Sequence, residues 1–257
     1  MRGLSVILAV CALSLSACAH GEGNLADITI FDRTEGRTLP VYHHGGQRYV
    51  IGKPGNEYQI NIHNRTGEDI LGVVSVDGVN VITGETAQWD QSGYVLYPRQ
   101  SMDIKGWRKS LERTAAFYFT RLPDSYAART GRPDNVGVIG VAVFKRKVEI
   151  RPMSPQPFGG AAEPSREAEG ARAEAKAKAA PEADLSAPRD ERLGTGHGRS
   201  ETSPAIQVDF ERATEYPTET LTIYYDSYPN LVVQGVIPGH RPPPIAMPFP
   251  GQFVPDP

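Results

Sequence analysis

Along residues 58–63 apolar and polar side chains alternate strictly, with Tyr58, Ile60 and Ile62 on one face and Gln59, Asn61 and His63 on the other. A period of two marks a strand with one face buried. Short apolar runs follow at 70–76, 79–82, 94–97, 102–104 and 115–120, separated by Arg65-Thr66-Gly67, Asp77-Gly78, Thr83-Gly84 and Ser92-Gly93. Asp77-Gly78 between Val76 and Val79 predicts a tight hairpin, because both residues accept the positive φ that two-residue turns need. Residues 136–144 are apolar on both faces and predict a central strand running on to 150. Many short strands with turn signals about every 8–12 residues predict an all-β fold, an antiparallel β-sandwich of Ig-like general architecture.

The pattern stops abruptly at 152. Residues 152–192 hold 6 prolines and 11 alanines, one aromatic (Phe158), and neither valine nor isoleucine. Such a stretch buries too little apolar area to offset its conformational entropy, and it reads as a disordered spacer. Within it, 166–180 is rich in Ala, Glu and Lys, which suits a solvated, partly formed helix. Strand signals resume at 205–210, 220–226 and 231–237. Fewer than about 50 residues without a disulfide lie near the lower limit for independent folding. The expected organisation is therefore a single domain made of 28–151 and 193–237, with the spacer looped out. The tail, 238–257, contains 8 prolines and is expected to be extended, with polyproline-II character.

The N-terminus follows another rule. One positive residue, Arg2, precedes an uncharged run over 3–17, too short to span a bilayer but of signal-peptide length. It ends Leu15-Ser16-Ala17-Cys18, which resembles the bacterial lipobox. That resemblance implies cleavage after residue 17, a diacylglyceryl thioether on Cys18, and a tether over 18–27. Two or more acyl chains hold a protein stably on a membrane. Ala19 rather than aspartate after the lipidated cysteine implies the outer membrane by the enteric sorting rule. The alternative is an ordinary secretory signal that leaves Cys18 free or removed. Cys11 would depart with the leader, so the mature chain could not form an internal disulfide.

The net charge is −3, and losing Arg2 makes it one unit more negative, which argues against nucleic acid as a partner. The sequence contains no nucleophile elbow, Walker loop or HExxH, so neither an enzyme nor a cofactor is expected. Four places carry polar chemistry. His43-His44, with His63, His197 and a carboxylate such as Asp226, could hold a metal, although adjacent histidines on an extended strand point opposite ways. Gly194-Thr195-Gly196-His197-Gly198-Arg199 reads as a flexible loop, and His197 with Asp226 is the candidate pair for a hydrolase. Residues 122–135 gather Arg129, Arg132, Asp134 and Asn135 between apolar strands. Arginine forks there suit an anionic ligand, or else they pair internally with Asp124 and Asp134. Finally Trp107, in Gly106-Trp107-Arg108-Lys109-Ser110 with Trp89 and Tyr94 upstream, is either a sugar-stacking platform or a core plug.

The runs Ser75-Val76-Asp77-Gly78-Val79-Asn80-Val81-Ile82-Thr83-Gly84-Glu85, Gly106-Trp107-Arg108-Lys109-Ser110 and 122–143 resemble a family of uncharacterised envelope lipoproteins of Gram-negative bacteria. The resemblance brings no activity with it. It implies that both strand blocks form one unit. The expected function is a lipid-anchored protein on the periplasmic face of the outer membrane, with a non-enzymatic binding or structural role toward an envelope protein or glycan. A carbohydrate- or peptidoglycan-binding module is the first alternative, and a hydrolase using His197 and Asp226 the second.

Overall fold

The computed structural model describes residues 21–22, 24–148 and 192–238. The expected leader, Cys18, nearly all of the spacer and the tail beyond 238 lie outside them. The chain is a sandwich of two sheets, as the strand spacing predicts. In the first sheet, β1 (Gly21–Glu22), β2 (Ala26–Asp32) and β6 (Glu57–Asn64) pair in order, and β3 (Arg37–Thr38) pairs with β2. The far side of β6 takes β10 (Ser101–Ile104) and, at its start, the middle of β12 (Arg113–Arg121). β11 (Gly106–Arg108) and β14 (Leu193–Thr202) both pair with β12. The second sheet runs β4 (Tyr42–His44), β5 (Gln47–Ile51), β15 (Glu219–Asp226), β13 (Val138–Lys145), β7 (Ile70–Val76) and β8 (Val79–Asn80), with β9 (Tyr94–Leu96) also on β7. Pairing is antiparallel except between β5 and β15, which run parallel, so the second sheet is mixed.

The alternation in β6 decides which face is inside. Tyr58, Ile60 and Ile62 are fully buried, while Gln59, Asn61 and His63 are only half-buried. Facing them across the sandwich are Val74, Val76, Ile139, Val141, Leu221 and Ile223. β13 is apolar on both faces because its outer side is also covered: Ala142 and Phe144 join Leu71 and Val73 in a second cluster, on which Phe210 packs. Phe210 belongs to the connection 203–218, which is not a strand over 205–210 as its pattern suggests. That connection crosses from the first sheet to the second, tied down by Lys147 N to Glu211 O (2.9 Å) and Ala213 N to Lys145 O (3.0 Å).

Three other elements differ from expectation for local reasons. Among the described residues strand pairing begins at Gly21, inside the expected tether, where β1 pairs with β2. The run 79–82 stops being a strand at Asn80, whose Oδ1 accepts Ile82 N (2.8 Å) and Thr83 N (3.2 Å) and turns the chain. Residues 231–237 are not a strand either: Tyr228–Val233 is a helix, α2, with Ser227 as its cap and Pro229 in its first turn. Its end is a Schellman motif, with Gly235 N to Val232 O (3.0 Å), Val236 N to Leu231 O (2.9 Å) and Gly235 at φ 73°. Leu231 and Val236 then pack on Tyr42, Tyr49 and Ile51 at the second sheet's edge. A second short helix, α1 (Tyr126–Arg129), is capped by Ser125 and leans on β14.

Candidate functional site

β14 is where the polar groups gather. Gly194–Gly198 is part of this strand and not a flexible loop, and its glycines answer to packing. A Cβ at Gly196 would fall on the Tyr118 ring, and one at Gly194 would meet Ser125 Cβ at 2.6 Å. From this strand Thr195 points into the core and His197 lies exposed.

Around Thr195 lies a closed polar network. The Asp77 carboxylate accepts Tyr225 OH (2.5 Å), Gly137 N (2.9 Å) and Thr195 N (2.8 Å). Thr195 Oγ1 bonds Tyr225 OH (2.7 Å) and Tyr58 OH (2.6 Å). Asp77 sits in the hairpin between β7 and β8 at φ 53°, a conformation that its short polar side chain tolerates. Desolvation pushes its carboxyl up to about 6, against the lowering effect of its hydrogen bonds. The network thus joins the hairpin, the start of β13, β14 and β15 at one buried carboxylate.

Around His197 three sequence motifs meet. Its ring stacks on Tyr126 of α1 at 5.7 Å, and Tyr126 lies 4.8 Å from Trp107 of β11. Burial holds the His197 imidazole below its ordinary range, and the positive charges of Lys109 and Arg129 push the same way. Lys109 and Arg129 are exposed, and neither side chain has a hydrogen-bond or ion-pair partner among the described residues. The result is an aromatic shelf carrying an imidazole between two uncompensated cations. Chemically it offers charge and hydrogen bonds to an anionic group.

The remaining candidates fall as follows. Trp107 is 4% exposed, donates Nε1–H to Gly196 O (3.1 Å) and meets Phe117 edge-on at 5.2 Å. It is a core plug, so it cannot present a face for sugar stacking. Arg132 is an internal brace, donating to Gly84 O (3.0 Å) and Thr130 Oγ1 (2.9 Å). Asp124 pairs with Arg121 at 3.4 Å, not with Arg129 or Arg132. Asp134 and Asn135 are exposed, and Asn135 Cβ lies over Gly78 of the hairpin turn.

His197 and Asp226 do not form a pair. The Asp226 carboxylate accepts Leu193 N (3.2 Å), Ser227 N (2.7 Å), Asn230 Nδ2 (2.8 Å) and Gln234 Nε2 (3.1 Å), which holds the start of β14 to α2. Leu193 and His197 are four residues apart on an extended strand, roughly 13 Å. Burial raises the Asp226 carboxyl, its hydrogen bonds opposing. His43 and His44 end β4 at the Gly45-Gly46 turn, and His63 Nδ1 bonds Ser101 Oγ (2.9 Å). Among the described residues no three metal-ligating side chains converge, and no helix is long and apolar enough to cross a membrane.

No family model, curated protein or solved structure matches the chain. The site must be read from its own chemistry.

Proposed function

We propose that this chain is a lipid-anchored periplasmic protein of a Gram-negative outer membrane, and that its sandwich has a non-enzymatic binding role toward a partner bearing anionic groups. The short apolar leader ending in Leu15-Ser16-Ala17-Cys18 and the resemblance to envelope lipoproteins support the first half. The binding role rests on one observation: Lys109, after β11, and Arg129, at the end of α1, lie beside His197 with no carboxylate partner among the described residues, in a protein of net negative charge. Such charges steer anionic partners and set register more than they add stability.

Fractionation separates the two halves. Cys18→Ala should lose incorporated fatty-acid label and leave the membrane pellet in high salt. At low salt the same protein should keep a weak, salt-sensitive association with envelope membranes, which Lys109→Glu with Arg129→Glu removes. Label retained by Cys18→Ala would overturn the anchor. Association equal with and without the charge reversals would overturn the basic face.

A further inference from the structure

A second surface carries chemistry that the basic face does not use. Trp89 is 53% exposed and Tyr216 67% exposed, with their ring centroids 5.8 Å apart and their planes at 73°. Aromatic surface of this size left in water is unfavourable. The rings are nonetheless fixed there. Gln91 closes the first loop, its Oε1 accepting Gln88 N (2.8 Å) and its Nε2 donating to Thr86 O (3.0 Å). Arg212 lies over the Phe144 ring at 4.7 Å and donates to Gln91 O (2.6 Å), which joins this loop to the connection 203–218. On that connection Thr214 Oγ1 donates to Tyr216 O (2.7 Å), and Thr218 N bonds Val143 O (2.8 Å) of β13. Rings held by such backbone lose little entropy when a ligand arrives.

Beside them lies an open groove of about 530 Å³, lined by Asp90, Lys147, Arg212, Ala213, Thr214 and Glu215. Its cations are engaged: Arg212 as above, and Lys147 with Glu211. Its carboxylates are not, since Asp90 and Glu215 have no partner among the described residues. The groove therefore offers hydrogen-bond acceptors next to flat apolar rings without offering uncompensated positive charge. Phosphate-rich ligands fit this poorly. A neutral molecule with a C–H face and many hydroxyl donors fits it well.

We infer that the Trp89–Tyr216 corner and its groove bind an oligosaccharide, one pyranose ring stacking on the exposed aromatic surface and its hydroxyls donating to Asp90 and Glu215. This reading concerns a surface other than the basic face and does not depend on the anchor at Cys18. The two tryptophans make it measurable, because Trp107 is buried and Trp89 exposed, so Trp89→Phe isolates the exposed emission. The full chain is titrated with chitotetraose and with cellotetraose. A saturable blue shift of the exposed component with either sugar is expected. By calorimetric titration with the same sugars, Trp89→Ala should show no binding and Tyr216→Ala should bind about tenfold more weakly, with melting midpoints close to wild type because both rings are mostly exposed. No saturable response, or affinity unchanged in Tyr216→Ala, overturns the inference. A response to tetramethylammonium without one to sugar also overturns it, in favour of a cation cage. Trp89 emission already that of a buried indole in the unliganded chain overturns it as well, because the chain itself would then cover the corner.

Discussion

Thr195 and His197, two residues apart on β14, belong to opposite kinds of polar site. Thr195 sits in a network where each carboxylate oxygen and hydroxyl has a partner within the fold, and burial raises the carboxyl of its central acid, Asp77, to about 6. His197 sits beside two cations that have none among the described residues. A strongly shifted pKa draws attention to a possible active site, yet the shift at Asp77 has an internal cause, burial, and its acceptors are committed to the protein. Groups whose hydrogen bonds all close within the chain hold strands together. Groups left unpaired at the surface are the ones with something to offer a partner.

The sharpest way to break this contrast is Asp77→Ala. Removing the carboxylate leaves Thr195 N, Gly137 N and the Tyr225 hydroxyl without their acceptor inside the core, and each buried orphan is expensive. We expect a loss of about 3–4 kcal/mol in urea unfolding. Asp77→Asn, which keeps the volume and the tolerance for positive φ, should lose less. A cost under about 1 kcal/mol for the alanine variant would mean that the network does not hold the strands.

A smaller effect follows from the charge itself. The folded Asp77 carboxyl titrates near 6 and its ordinary value is 3.8. Between those values the folded protein binds a proton that the unfolded chain has released, so stability falls as pH rises through that window. Asp226, also raised, acts with the same sign. Glu57, held below its ordinary value by Arg199, has the opposite sign, but only below its ordinary 4.5. His197, held below its ordinary 6.5, opposes Asp77 inside this window, because the unfolded chain takes up its proton first as pH falls. The Asp77 share should therefore appear as roughly 1–2 kcal/mol of stability that wild type gains, relative to Asp77→Asn, on going from pH 7.5 to pH 5. An unchanged slope in the asparagine variant would assign the effect elsewhere.

Much of this architecture was legible in local pattern. The period of two in 58–63 gives the buried face of β6, and Asp77-Gly78 gives the hairpin joining β7 and β8. Where reading failed, a local signal was outweighed or missed. Val232-Val233 suggests a strand, but the cap at Ser227 and the Gly235 terminator specify α2. Both sites were hidden for another reason. Asp77 reads as a turn residue because nothing near it in sequence reveals Thr195 and Tyr225, which reach it only once β14 and β15 join the sheets across the spacer. In the same way Trp107, Tyr126 and His197 meet through register. Of the two readings the sequence left open for Trp107, register selects the core plug, sealed by β14, whereas Trp89 stands exposed on the loop after β8.

The finest test separates two arginines three residues apart. Arg132 donates to Gly84 O and Thr130 Oγ1 and is half-buried, so Arg132→Ala should cost about 1 kcal/mol by loosening the 80–85 turn from α1. Arg129 is exposed with no side-chain partner among the described residues, so Arg129→Ala should change stability by less than about 0.5 kcal/mol. Its loss should appear at His197 instead. One of the two positive charges that hold that imidazole down is gone, so its NMR titration should move upward, while in Arg132→Ala it stays nearly in place. If Arg129→Ala costs as much as Arg132→Ala and leaves the His197 titration where it was, then Arg129 is a brace like its neighbour, and the basic face shrinks to Lys109 alone.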